Sequence, residues 1–186
     1  MRIIGGIHKG KNIFQPLDKI TRPLRDLVKE SIFNLINHSN LINIIIKESN
    51  ILDLFAGSGS FGLECISRGA NKVTFIESHF NALEILKKNI HKLRLKNEFQ
   101  IIQKDCFKYL DDEMKDFNTY DLIFVDPPYK EKKINEIIIK IKEKKILKKN
   151  GIIIIHRHKK DNMEISNKFN LIDNRIYGIS KILIGN

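Results

Sequence analysis

The sequence predicts a doubly wound α/β fold on a mostly parallel sheet, and three observations predict it. Strand-length apolar runs alternate with helix-length amphipathic segments along most of the chain. Runs such as Leu122-Ile123-Phe124-Val125 and Ile152 to Ile155 are apolar without interruption, as strands covered on both faces must be. A literal GxGxxG, Gly57-Ser58-Gly59-Ser60-Phe61-Gly62, falls between a strand pattern and a helix pattern.

In chain order, Arg2 to Thr21 is basic, glycine-punctuated and poorly periodic, and reads as an arm or a short hairpin. Leu27, Val28, Ser31, Ile32, Leu35 and Ile36 then recur at helical spacing behind Asp26, a candidate N-cap, and predict a first helix to about His38. Ile42 to Ile46 is ambiguous between helix and strand. Strands are expected at Asn50 to Phe55, Lys72 to Glu77, Phe99 to Gln103, Tyr120 to Val125 and Gly151 to Ile155. Between them, helices are expected at Ser60 to Arg68, His79 to Leu93, near Phe107 to Leu110, and from about Lys132 to Leu147. The tail, with Leu171-Ile172 and Ile182-Leu183-Ile184 flanking Tyr177-Gly178, suits a closing antiparallel hairpin. A chain of 186 residues fits one domain, residues 1–186, with a basic arm over 1–21 and a core over 22–186.

Lysine and arginine outnumber the acids 33 to 22, a formal charge of +11, which favours a polyanion such as nucleic acid unless it reflects a genome biased toward Ile, Lys and Asn. Cys65 and Cys106 stand alone, and no His/Cys cluster has metal-ligand spacing, so neither disulfide nor metal is expected. The first residues lack the apolar core of a signal peptide, and no apolar run approaches the roughly 20 residues of a membrane span. These features predict a cytoplasmic protein without a membrane partner.

The chemistry gathers at strand ends. Gly57 and Gly59, with Phe55 and Ser58 between and before them, form a turn that lets a ligand approach the backbone at a helix N-terminus; alone it signifies a nucleotide cofactor, or merely close strand-helix packing. Glu77 ends the second strand twenty residues after Gly57, where a carboxylate can accept hydrogen bonds from ribose hydroxyls. Asp105, followed by Cys106, ends the third strand, and is read equally as a helix cap. Asp53, four residues before Gly57, would repel a pyrophosphate but suits the ammonium and sulfonium of S-adenosylmethionine.

Asp126-Pro127-Pro128-Tyr129 follows the fourth strand directly. The prolines fix their own φ and push each preceding residue into extended conformation, holding the Asp126 carboxylate and the Pro127 carbonyl as two acceptors. An exocyclic base amine is a poor nucleophile because its lone pair is delocalised into the ring. Two acceptors on its two N–H groups favour a geometry that frees that pair toward a sulfonium methyl. Tyr129 would stack on an extruded base, and Asp126 or a water would take the released proton. The plainer reading is a Pro-Pro turn with Tyr129 as core packing.

On these residues the chain resembles the RsmD-type bacterial 16S ribosomal RNA (guanine-N2)-methyltransferases. Arg2 to Gly6 with Lys9-Gly10-Lys11 is similar to that family's arm, and Arg22-Pro23 with Asp26, Val28, Glu30, Phe33 and Asn34 to its next signature. Leu52 to Glu64 and Asp126 to Tyr129 resemble its cofactor and substrate motifs. The resemblance implies a seven-stranded class I, Rossmann-like methyltransferase sheet and S-adenosyl-L-methionine as cofactor, lined by Asp53, Gly57, Gly59, Glu77 and Asp105. It implies guanine held by Asp126 to Tyr129 and action on 16S ribosomal RNA in a small subunit or assembly intermediate; a monomer is expected, although the sequence itself does not give the oligomeric state. Arg2, Lys9, Lys11, Arg22 and Arg25 are the candidate RNA contacts. Departures from the family pattern are Leu24, Leu27 and His156-Arg157-His158, of which Arg157 reads as a solvated rim residue or a phosphate contact. The alternatives are a DNA adenine-N6 methyltransferase, a nicotinamide oxidoreductase, which Asp53 disfavours, and a non-catalytic RNA-binding assembly factor.

Overall fold

Alternate residues of each central strand enter opposite hydrophobic clusters, which is why these strands carry no polar face. Leu122 and Phe124, Ile152 and Ile154, and Ile182 and Ile184 pack into one cluster, while Ile123 and Val125, Ile153 and Ile155, and Leu183 pack into the other. The computed structural model describes residues 1–16, 24–112 and 119–186. Within them lie strands β1 (Asn50–Asp53), β2 (Lys72–Glu77), β3 (Phe99–Gln103), β4 (Tyr120–Val125), β5 (Leu147–His158), β6 (Leu171–Tyr177) and β7 (Ser180–Gly185). The helices are α1 (Asp26–His38), α2 (Ser60–Ser67), α3 (Phe80–Leu93), α4 (Cys106–Asp111) and α5 (Ile134–Glu143).

The sheet runs β3-β2-β1-β4-β5-β7-β6; β7 lies antiparallel to both β5 and β6, and the remaining pairs are parallel. Strand order reverses between β1 and β4, so the crevice beyond their carboxyl ends is where a sheet of this kind accepts a ligand. Helices α1, α2 and α3 cover one face and α4 and α5 the other, with stacked rings of Phe33, Phe61 and Phe124 tying α1 and α2 to β4.

Within the arm, the described residues 1–16 form a short hairpin closed by an Arg2–Asn12 bridge, and it is docked. Ile3 and Ile13 are buried in the core, and the buried Glu64 accepts the N–H groups of Ile4 and Gly5, both at 2.7 Å. Lys29 donates to the Arg2 carbonyl at 2.8 Å and pairs with Glu64 at 3.4 Å, so two buried charges answer each other under the arm. Gly6 lies so close to α2 that a Cβ would fall 1.7 Å from the Ser67 carbonyl oxygen; only glycine fits.

Several boundaries differ from expectation for local reasons. Asp26 is the first helical residue rather than the N-cap, a position held by Arg25 without a side-chain bond. Ile42 and Ile46 are buried but belong to an irregular connection, neither helix nor strand. Helix α5 stops at Glu143 because Lys145 turns left-handed at φ 52°, and the Lys145 and Ile146 N–H groups close onto Lys142 and Ile141 carbonyls. Strand β5 extends through the polar His156 to His158 because β7 pairs with them, His158 opposite Ser180 and His156 opposite Ile182.

Candidate active site at the carboxyl ends of β1 and β4

Asp53 lies opposite Phe124 in the sheet register, which sets the chain beyond β1 beside the chain beyond β4. The Leu54 N–H bonds the Phe124 carbonyl at 3.0 Å, and the Ala56 N–H bonds Ile76 at 3.0 Å, anchoring the glycine loop to strands on either side. Gly59, at φ 81°, closes the turn onto the Ala56 carbonyl at 2.7 Å and leads into α2; a Cβ there would meet Leu86 at 2.3 Å. Phe55 is half-buried and Ser58 buried within this loop.

Carboxylates dominate this end of the sheet. Asp53 is buried, and its Oδ2 accepts the Gly62 N–H at 3.2 Å while its Oδ1 has no hydrogen-bond partner. Burial, assisted by the charges of Asp126 and Glu77 and opposed by the Gly62 N–H, pushes the Asp53 carboxyl up to about 8. A buried, unpartnered carboxylate oxygen among like charges is the place for a cationic donor and a poor place for a phosphate. Glu77 holds the loop directly: Oε2 takes the Gly57 N–H and Oε1 the His79 N–H, both at 2.7 Å. Each oxygen keeps a lone pair for a further donor. The Asp105 Oδ1 caps α4 by accepting the N–H groups of Phe107 and Lys108, beside buried Cys106.

The turn after β4 is fixed from behind. Pro127 is buried and Tyr129 half-buried. Arg157, 4% exposed, donates to the carbonyls of Pro128 (3.2 Å), Tyr129 (3.1 Å) and Glu131 (2.8 Å), and its Nε reaches Asp161 at 2.5 Å. It is therefore a buried clamp on the turn, neither a solvated rim residue nor a phosphate contact. Asp126 Oδ1 lies 2.7 Å from His156 Nδ1, whose ring Nε2 lies 2.8 Å from Ser180 Oγ. The Tyr129 ring meets His158 edge-on at 5.1 Å and flanks a cavity of about 450 Å³ bounded by Lys132, His158, Lys160 and Asn162. A second cavity, about 560 Å³ between α1 and the β6-β7 hairpin, lies apart from the glycine loop.

Asp53, Glu77, Gly57, Gly59 and Asp126 thus gather at the carboxyl ends of β1, β2 and β4, with Asp105 and Cys106 beyond the neighbouring β3. His156, Ser180 and the clamping role of Arg157 escaped the sequence reading; the polar His156-Arg157-His158 run was their only trace. Of the basic residues proposed for RNA, Arg2, Lys9, Lys11 and Arg25 are exposed, with Lys11 Nζ 3.0 Å from His8 Nδ1, and Arg22 lies outside the described residues. Among the described residues no group of acids, histidines and cysteines is arranged to hold a metal, and no helix is long and apolar enough to cross a membrane.

A sheet ordered in this way, with its reversed strand next to last in space and a glycine turn at the switch point, is the class I, Rossmann-like fold of the S-adenosylmethionine methyltransferases. The solved structure of yhhF from Escherichia coli superposes with a TM-score of 0.84 at 25% identity, over 100% of this chain and 96% of that one. The family model described as "Conserved hypothetical protein 95" matches residues 1–186. Ribosomal RNA small subunit methyltransferase D of Buchnera aphidicola is 34% identical over 175 residues, covering 94% of this chain and 86% of that protein. The protein of the same name from Haemophilus influenzae is 31% identical over 180 residues, covering 96% and 90%. The chain belongs to the ribosomal RNA small subunit methyltransferase D family.

Proposed function

We propose that this protein methylates small-subunit ribosomal RNA, using S-adenosylmethionine to modify the exocyclic N2 of a guanine within a small ribosomal subunit or assembly intermediate. The carrying observation is the clamped Asp126-Pro127-Pro128-Tyr129 turn beside an electronegative glycine loop. When bound, S-adenosylmethionine supplies an electrophilic methyl on a sulfonium and departs as the neutral thioether.

Asp53 fits the cofactor's positive end through its unpartnered Oδ1, and Glu77, with Phe55, Gly57, Ser58, Gly59, Asp105 and Cys106, would line the remainder. Asp126 and the Pro127 carbonyl accept the two amine N–H groups and turn the nitrogen lone pair toward the methyl. As the N–CH3 bond forms and the S–CH3 bond breaks, the nitrogen becomes cationic, and Asp126 or a water removes one of its protons. Tyr129 offers its face to the base, as aromatic rings do for bases taken out of a stack. Lys132 and Lys160 beside Tyr129, and Arg2, Lys9, Lys11 and Arg25 on the arm side, give cationic surface for the RNA backbone. We further take the chain to act as one domain and as a monomer in the cytoplasm.

Labelled methyl transfer to small-subunit particles, free RNA, DNA and protein tests this reading. Label is expected in the ribosomal RNA; label confined to DNA would overturn it.

A further inference from the structure

Asp126 does not stand alone at the end of β4. Its Oδ1 lies 2.7 Å from Nδ1 of His156, and Nε2 of the same ring lies 2.8 Å from the hydroxyl of Ser180. His156 and Ser180 are buried, the His156 side chain 9% exposed, whereas the Asp126 side chain is 17% exposed. Three strands contribute one group each: Asp126 follows β4, His156 sits on β5 and Ser180 opens β7.

The carboxylate fixes one end of the row. Asp126 as a carboxylate accepts only, so the proton between it and the ring belongs to Nδ1. Ser180 Oγ, able to donate or to accept, holds Nε2 on the far side of the ring at 2.8 Å. Asp126 Oδ1 is thereby committed, and Oδ2 remains the oxygen open to an incoming amine. The ring also meets Tyr129 edge-on at 6.3 Å, with His158, two residues along β5, at 5.1 Å from the same Tyr129 ring. Arg157, between them in sequence, instead holds the backbone carbonyls of the turn.

We propose that His156, oriented by Ser180, is a positioning residue for methyl transfer, locking the Asp126 carboxylate with Oδ1 engaged and Oδ2 presented to the base amine. The proposal rests on the amine-methylation reading of the Asp126 turn. It acts on the chemical step and not on cofactor capture, because neither His156 nor Ser180 bonds the glycine loop.

The test compares His156→Leu, His156→Asn, Ser180→Ala and Asp126→Ala in single-turnover methylation of small-subunit particles, with S-adenosylmethionine affinity measured by calorimetry on each protein. His156→Leu should slow turnover roughly 100-fold, as a loosened reacting group does, with cofactor affinity unchanged. His156→Asn, whose amide can still donate to Asp126, should recover about a tenth or more of the wild-type rate, and Ser180→Ala should lose severalfold. A purely structural role would give no rescue by asparagine. Wild-type turnover in His156→Leu, or equal loss in both His156 variants, overturns the positioning role. Should His156→Leu fail to fold, wild-type turnover in Ser180→Ala, or loss in His156→Asn as deep as in Asp126→Ala, overturns it. Retained turnover in Asp126→Ala overturns the underlying site reading and the proposal with it; a silent Asp126→Ala beside fully active His156 variants overturns the positioning role alone.

Discussion

Asn89 and Phe14 exchange a pair of hydrogen bonds: the side-chain carbonyl of Asn89 accepts the Phe14 N–H at 2.7 Å, and its amide donates to the Phe14 carbonyl at 3.0 Å. The same amide donates to the Ser58 carbonyl at 2.9 Å. One fully buried side chain on α3 therefore ties the arm at Phe14 to the glycine loop. Replacing Asn89 with Ala strands three backbone groups and should cost about 2–3 kcal/mol in denaturant unfolding. The loosened loop should also weaken S-adenosylmethionine binding roughly tenfold in calorimetry. Unaltered cofactor affinity in a folded Asn89→Ala protein would separate arm from loop.

Arg157 presents a planar fork to three carbonyls and to Asp161, a geometry that a lysine ammonium cannot span. Arg157→Lys should lower stability by about 3 kcal/mol and slow methyl transfer roughly 100-fold. Cofactor affinity should stay near wild type, since the residue grips the substrate turn. Thermal unfolding and single-turnover rates on the same preparation check this; intact turnover would mean the turn holds its shape without the clamp.

Asp53, held up to about 8, is largely protonated at pH 7 in the free protein. Its raised value makes folding lose stability as pH rises from the ordinary carboxylate range toward about 8, because the native state then holds the extra proton. A cationic cofactor should reverse the preference and expel that proton. Calorimetry at pH 7 in buffers of different ionisation enthalpy should record close to one proton released per S-adenosylmethionine bound, and none with Asp53→Asn. Equal release from both proteins would remove Asp53 from the cofactor's positive end.

Neutralising Arg2, Lys9, Lys11 and Arg25 should weaken small-subunit binding and shallow its salt dependence by about one unit of slope for each phosphate contact removed. Cofactor affinity should not change. Filter binding across a salt series checks this, and an unaltered slope would place the RNA elsewhere, with Lys132 and Lys160 the next surface to alter.

The strands and the turns that follow them are legible because the physics that makes them is local: unbroken apolar runs for β4 and β5, a glycine turn after β1, and two prolines after Asp126. What escaped is non-local. The end of α5 is a left-handed Lys145 with no glycine to announce it, and Asp26 begins α1 without capping it. His156 and Arg157 looked like a polar strand end because their partners, Ser180, Asp126 and the carbonyls of the Pro128 turn, lie 24 to 30 residues away. The partners of Glu64, the Ile4 and Gly5 N–H groups, lie about sixty residues earlier in the chain, so its role under the arm has no local signal. The reading of Asp105 as a helix cap is borne out by its two N–H acceptor bonds.

The central claim is that Asp126 and the Pro127 carbonyl present the N2 amine of a guanine for methylation. Small-subunit particles treated with the protein and methyl-labelled S-adenosylmethionine can be digested to nucleosides and the labelled product identified by mass and retention. The account predicts N2-methylguanosine from the small-subunit RNA, and no product with Asp126→Ala. N6-methyladenosine, a ring-nitrogen product, or undiminished label with Asp126→Ala would contradict it.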